Sequence, residues 1–303
     1  MNKTLLVAGS IAFDSLKTRA GSRDEILGGA ATYISIAASY FSKVNLVAVV
    51  GKNDFPKECS NLLKKHNIDL TGLEFADGRT FRWQGEYADD FSTRQTLGTE
   101  LGVFEKFDPK IPEEYIGPQI LLLGNISPSV QLKVLERAKG TPFVITDTMN
   151  LWMDIALDDL KKIISKSNLL VINDEEAFQL SKKQQLITAA KDILKLGPEF
   201  LIIKRGEHGA FLFTAKDTFY SPAILLEDVI DPTGAGDSFA GGLAGYLAKT
   251  GATDFTTIKT AMLYGTAIAS ATCEGFGTEK TITLTNDEIE SRVAKLKALV
   301  SLH

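Results

Sequence analysis

The sequence predicts an α/β fold, with a mostly parallel central sheet, helices on both of its faces, and a small second sheet beside it. Three observations carry this. Short apolar runs recur at residues 5–8, 44–50, 120–123, 143–146, 169–172 and 200–203, each the length of a strand buried on both sides. Amphipathic helical patterns separate most of them, at residues 30–41, 56–66, 130–139 and 186–196. Strands alternating with helices are the mark of parallel β-α-β units. Two stretches break the alternation: the polar residues 15–27, and residues 79–98, where Phe81, Trp83 and Tyr87 lie among Gly and Asp-Asp turn signals. They read as strands of a separate sheet, inserted near 13–27 and 79–99 as a lid over the α/β body.

No Pro/Gly/Ser-rich linker splits the 303 residues, so the expectation is one domain spanning 1–303 with the lid segments inserted. An apolar share of 44 % against 23 % charged residues places the chain with ordinary globular proteins. The formal net charge of −5 without a Lys/Arg block argues against a nucleic-acid groove, which needs a basic footprint. Cys59 and Cys273, with no CxxC or Cys/His spacing, exclude a disulfide scaffold and argue against a structural zinc site. The first apolar run stops at Gly9, too short for a secretory signal, and no run approaches the roughly 18 apolar residues of a membrane span. The expectation is a cytoplasmic protein without a membrane partner.

The chemistry is concentrated at residues 231–242, Asp-Pro-Thr-Gly-Ala-Gly-Asp-Ser-Phe-Ala-Gly-Gly, ahead of an amphipathic pattern over 238–249 and after the apolar-rich run 223–230. A glycine-rich turn opening a helix lets successive backbone N–H groups converge, and the helix dipole adds positive potential at the same point. That is an anion hole suited to a phosphoryl group. Asp237, in the first turn, is placed to take a proton from an alcohol while the hole holds the phosphate. A bare helix cap is the competing explanation for a GxGD alone, but not for the full string.

This string resembles the C-terminal signature of the ribokinase-like, or PfkB, family of carbohydrate and nucleoside kinases, and the resemblance extends along essentially the whole chain. It implies a three-layer α/β/α fold with a small β-sheet lid, with Asp237 as base and Gly234, Ala235 and Gly236 as the anion hole. It further implies that Asp14, at the end of Gly9-Ser10-Ile11-Ala12-Phe13-Asp14, bonds acceptor hydroxyls. Gly28-Gly29-Ala30-Ala31-Thr32-Tyr33 matches the family's N-terminal glycine pair, with Tyr33 where the family often has asparagine. Asn173 and Glu176 of Asn173-Asp174-Glu175-Glu176 match an N-x-x-E motif that positions Mg²⁺ and phosphates through water; a capped helix start is the alternative reading of the same residues. Lys204, Gly206 and Gly209 stand where the family has T-L-G-x-x-G along the nucleotide, with Lys204 and Arg205 replacing Thr and Leu. Residues 267–277 correspond to the adenine pocket and part of a monovalent-cation loop, to which Asp231 and Thr233 would contribute. Cys273 reads as a small hydrophobe.

The implied function is an ATP-dependent kinase that phosphorylates a hydroxyl of a small sugar, ribose- or fructose-like, with Mg²⁺ required and K⁺ a further candidate. A nucleoside is the alternative acceptor, since Phe13, Tyr33, Phe81 and Trp83 are available to stack on a base. A sugar phosphate would need a basic clamp, for which Arg79, Arg82 and Arg94 are the candidates. A homodimer through the lid is a further implication. A different class of protein, a non-catalytic nucleotide- or sugar-binding regulator, would be signalled by loss of Asp237 or the glycines, and both are intact. The chain has no G-x-x-x-x-G-K-[ST], no G-x-G-x-x-G after the first strand and no nucleophile elbow, which disfavours P-loop, dinucleotide-dependent and hydrolase chemistries.

Overall fold

The computed structural model describes residues 4–91 and 93–301. The ends of the expected 1–303 domain, and Ser92 within the 79–99 segment, lie outside the described residues. Thirteen strands are described, in chain order. The first seven are β1 (Leu5–Ala8), β2 (Ala12–Thr18), β3 (Gly21–Gly28), β4 (Val44–Gly51), β5 (Ile68–Ala76), β6 (Phe81–Tyr87) and β7 (Arg94–Glu100). Then follow β8 (Ile120–Leu123), β9 (Phe143–Asp147), β10 (Leu169–Asn173), β11 (Phe200–Lys204), β12 (Ala210–Phe213) and β13 (Thr218–Ser221). The helices are α1 (Ala30–Ser39), α2 (Lys57–Lys65), α3 (Pro128–Ala138), α4 (Asn150–Ile155), α5 (Leu157–Ile164), α6 (Asp174–Ser181), α7 (Leu186–Leu194), α8 (Ala235–Thr250), α9 (Phe255–Thr272) and α10 (Asn286–Val300).

Nine strands form the large sheet, in the order β13-β12-β11-β10-β9-β8-β1-β4-β5. The seven from β11 to β5 run parallel, and β12 and β13 close one edge as an antiparallel hairpin. All four residues of β1 are buried, which explains why its sequence is a continuous apolar run rather than an alternating one. Its side chains nonetheless divide by face. Leu5 and Val7 join the core beneath α1, α8 and α9, whereas Leu6 and Ala8 join the opposite core beneath α3, α5, α6 and α7. The α10 helix lies outside this, packing Ile289, Val293 and Leu296 on Ala267, Ile268 and Ala271 of α9.

The two stretches that break the pattern form the second sheet, ordered β3-β2-β6-β7. In it β2 pairs antiparallel with β3 and parallel with β6, and β6 pairs antiparallel with β7. The sheet touches the large body at the motif loop. Thr18 Oγ1 donates to the Ile230 carbonyl at 2.8 Å, and Thr233 Oγ1 donates to the Tyr87 hydroxyl at 3.1 Å.

The apolar-rich run 223–230 is irregular chain, with Leu225 78 % exposed. The helices α4, α5, α9 and α10 go beyond the helical patterns read in the sequence. Much of α9 is buried, so its pattern lacks the polar face that marks a surface helix.

The helices α1, α8 and α9 approach one another through small residues. A Cβ at Gly245 would stand 2.6 Å from the Ala38 carbonyl oxygen of α1, and one at Gly265 2.6 Å from the Phe239 carbonyl oxygen of α8. A mid-helix Gly→Ala change ordinarily adds about 1 kcal/mol of stability. Here it forces backbone apart, so Gly245→Ala is expected to cost about 1–3 kcal/mol. Thermal unfolding with unchanged far-UV circular dichroism would show this, whereas a gain in stability would mean that α1 and α8 are not in backbone contact.

Candidate active site

The turn before α8 is built to expose amides. Gly234, the residue preceding the helix, has φ of 75°, a conformation that other residues adopt at a cost. A Cβ at this position would also collide with the ring of Tyr33. Asp231, fully buried, braces the turn: its Oδ1 accepts from the Thr233 N–H at 2.9 Å and its Oδ2 from the Gly277 N–H at 3.0 Å. The Gly234 carbonyl accepts from the Ser238 N–H at 2.8 Å. The amides of Gly236 and Asp237, in the first turn of α8, have no helical carbonyl to donate to, and the helix dipole is positive there.

Asp237 stands in that turn with Oδ1 buried and without a hydrogen-bond partner. Burial pushes its carboxyl up to about 7, and the Asp147 and Asp14 carboxylates push in the same direction, against Lys204 and Arg94. Lys204 ends β11 and reaches this place from the sheet. Its Nζ lies 3.5 Å from Asp147 Oδ1, and 3.0 Å from where a Cβ on Gly236 would be. Burial alone would lower the ammonium, but Asp147, Glu176 and Asp237 outweigh it and hold Lys204 above its ordinary range. Glu176 is raised to about 7 by burial, with Lys204 opposing and Asp147 adding. Asp147 is raised by burial, against Lys204. Asp147 is a residue that the sequence reading missed, by ending its strand one residue early. The available signal was an acid at the C-terminal end of a parallel strand, where α/β folds place ligands.

On the other side of Asp237 lies the region of Asp14. A Cβ on Gly28 would overlap the Asp14 carboxylate, and Gly29 takes φ of 87° with Ser10 O only 2.6 Å from where a Cβ would be. The glycine pair thus makes room for a buried carboxylate. Burial raises Asp14 to about 7, a Gly29 amide hydrogen bond opposes this, and Asp231 adds to it. Tyr33 is buried with its hydroxyl unpartnered. Burial, followed by the charges of Asp14, Asp231 and Asp237, holds its phenol well above the ordinary range. Tyr33 therefore comes to the site, but as a ring packed on Gly234.

Other expected residues divide. Asn173 and Glu176 form a capping box: Asn173 Oδ1 accepts from the Glu176 N–H at 2.7 Å, and Glu176 Oε2 from the Asn173 N–H at 2.8 Å. The helix-start reading is therefore correct for these atoms, while the burial of Glu176 beside Lys204 keeps it in the charge cluster. Gly206 and Gly209 shape the turn between β11 and β12, with φ of 54° and 79°. Residues 267–272 complete α9, and the Cys273 carbonyl accepts from the Ile230 N–H at 2.8 Å. Burial pushes the Cys273 thiol up to about 12, consistent with an inert hydrophobe. Of the four aromatics considered for stacking, Phe13 packs on Phe55, Phe81 stacks on Phe104, and Tyr33 covers Gly234. Trp83 remains. Arg79 pairs with Glu100 at 3.0 Å, and Arg82 with Glu25 at 2.6 Å and Asp54 at 2.8 Å, which leaves Arg94.

Free amides at a helix start beside a buried carboxylate, near the C-terminal ends of parallel strands, form an arrangement suited to phosphoryl transfer to an alcohol. Comparison with known proteins places it further. The model of the pfkB family of carbohydrate kinases matches residues 4–284, and the chain belongs to that family. It is 33 % identical over 249 residues to the cytidine kinase of Thermococcus kodakarensis, covering 80 % of this chain and 88 % of that one. The nucleoside kinase of Methanocaldococcus jannaschii, an archaeal member of the ribokinase family, has a similar structure: TM-score 0.77 at 23 % identity, covering 97 % of this chain and 98 % of that one. So does a putative ribokinase II from E. coli in complex with ATP and Mg²⁺, with TM-score 0.79 at 18 % identity, covering 96 % and 99 %. Among the described residues no helix is long and apolar enough to cross a membrane.

The cluster makes a prediction about stability. A carboxyl with a folded-state pKa above its unfolded value binds more protons when folded, so stability falls as pH rises between the two. Lys204→Met removes the opposing charge and lifts those folded values further. The variant should be near wild type at about pH 5 and worse by about 3 kcal/mol at about pH 8. Thermal unfolding at both pH values measures this; a deficit equal at both would mean that Lys204 does not compensate the acids.

Proposed function

We propose that the chain transfers the γ-phosphoryl group of ATP to a primary hydroxyl of a ribofuranosyl compound, and that a nucleoside is the favoured acceptor. The observation that carries the reaction is the unpartnered, buried Oδ1 of Asp237 beside the free amides of α8. A buried acceptor without a donor is costly, about 1–3 kcal/mol. An arriving hydroxyl relieves it. Asp237 takes the hydroxyl proton as the oxygen attacks the γ-phosphorus, and the bond to the ADP oxygen breaks in line. The amides of the 234–237 turn and the Lys204 ammonium face the charge that builds on the phosphoryl oxygens. Asp14 accepts from neighbouring ring hydroxyls, which orients the primary one.

Among the described residues no three acid, His or Cys side chains are grouped to hold a metal alone. Asn173, Glu176 and Asp147 offer oxygen donors at the strand ends, which fit Mg²⁺ arriving with the triphosphate and holding waters between. Bound there, it neutralises phosphate charge. K⁺ at Asp231 and Thr233 has less support, because both Asp231 oxygens accept backbone N–H groups and the Thr233 hydroxyl serves Tyr87. The two links from the small sheet to the motif loop support its role as a lid that keeps water from ATP.

A nucleoside is favoured over the free sugar that the family default suggested because Trp83 and the Arg94 guanidinium over its ring are the lid groups left for an aglycone, and the cytidine kinase relative is named for such a substrate. Purified protein with Mg-ATP should phosphorylate a nucleoside with kcat/KM at least about tenfold above ribose or fructose, since base stacking contributes about 1–3 kcal/mol. Asp237→Asn should lower turnover about 10²–10⁴-fold while still binding ATP. Equal use of free sugars would overturn the acceptor reading, and an Asp237→Asn enzyme with more than a third of wild-type turnover would overturn the base.

A further inference from the structure

We infer that Arg94, stacked on Trp83 on the inner face of the lid, selects the acceptor by its aglycone, receiving an edge that carries two adjacent ring hydrogen-bond acceptors. Cytosine presents such a pair at O2 and N3, and 6-oxopurines at O6 and N7. Uracil has a hydrogen on N3, and adenine sets an amino group beside N7. The inference rests on the nucleoside reading above and names the part of the nucleoside that is read.

The register of the small sheet fixes the position. Across β2 and β6, Asp14 lies opposite Trp83; across β6 and β7, Tyr87 lies opposite Arg94. Opposite residues share a face, as do residues two apart on one strand. Asp14, Trp83, Tyr87 and Arg94 therefore look the same way. That way is the active site, because Asp14 is buried beside the Gly28-Gly29 pair and the Tyr87 hydroxyl accepts from Thr233. The Trp83 ring lies down across the strand over Gly85, where any Cβ would collide with the indole, and its Nε1 donates to Thr96 Oγ1 at 3.2 Å. The Arg94 guanidinium carbon stands over that ring, 5.2 Å from its centroid.

Charge pairing separates Arg94 from Arg23, Arg79 and Arg82. Arg23, Arg79 and Arg82 each hold a carboxylate, and among the described residues none is paired with Arg94. Its charge reaches both Asp14 and Asp237 and acts to lower each. Arg94 also meets the Tyr87 hydroxyl, but a guanidinium has five N–H donors, so two parallel N–H groups remain to match two adjacent acceptors. Lysine offers the charge without the fork.

The test is the ratio of kcat/KM for cytidine over uridine, and for inosine over adenosine, with fructose 6-phosphate as an anionic acceptor in the same panel. Wild type should favour the first of each pair about ten- to a hundredfold, the discrimination of a good bidentate contact. Arg94→Met should collapse both ratios to within about threefold, through KM for the nucleoside, with KM for Mg-ATP and the melting temperature close to wild type. Arg94→Lys should not restore them. If wild type uses nucleosides and Arg94→Met keeps the same ratios, or Arg94→Lys restores them, the inference fails while the nucleoside reading stands. Wild type that uses no nucleoside, or prefers fructose 6-phosphate, overturns both.

Discussion

One ammonium among three buried acids is the constraint on which the site depends. Asp147, Lys204 and the Asn173 cap that holds Glu176 come from the C-terminal ends of the neighbouring parallel strands β9, β11 and β10. Asp237 arrives from the opposite side, on the first turn of α8. Charges of like sign held this close in a poorly solvated place raise one another's proton affinity. Lys204 opposes that rise for all three acids. The balance leaves the Asp237 carboxyl at about 7, a value suited to the general-base role proposed for it.

The rest of the architecture can be read as holding that arrangement. A parallel sheet buried on both faces brings its strand ends to one edge, and close backbone packing of α1, α8 and α9 fixes the start of α8 relative to it. Asp231 ties the motif turn to the loop at Gly277. The small sheet is fastened to the same turn by Tyr87 and to the preceding residue by Thr18. The small sheet and the chain leading into the motif turn are thus joined directly, through two hydrogen bonds.

Much of this was legible in the sequence, and unevenly. The buried strands announced themselves as apolar runs because a two-sided burial needs no alternation, and the motif 231–242 declared its turn because few residues other than glycine fit there. Asp14 and Asp237 were found by motif position, yet their raised pKa values were not, since these come first from burial in the folded chain and then from charges on distant segments, Asp231 raising Asp14 and Asp147 raising Asp237 against Lys204. Lys204 illustrates the limit: as a letter it departs from the family's threonine, and only the fold shows its amine against Gly236. Phe13 and Phe81 looked available for stacking, but local hydrophobicity cannot tell a ring packed on Phe55 or Phe104 from one facing a ligand. The run 223–230 has the composition of a strand and lacks a partner edge to pair with, because the large sheet already ends at β13.

The central claim is that ionised Asp237 takes the acceptor's proton, and the pH dependence of kcat/KM for the acceptor at saturating Mg-ATP tests it most directly. A base raised to about 7 predicts a rate that climbs nearly tenfold per pH unit between about pH 5 and about pH 6.5 and levels off above about pH 7.5. A rate flat across that whole range, under conditions where phosphoryl transfer limits turnover, would contradict it.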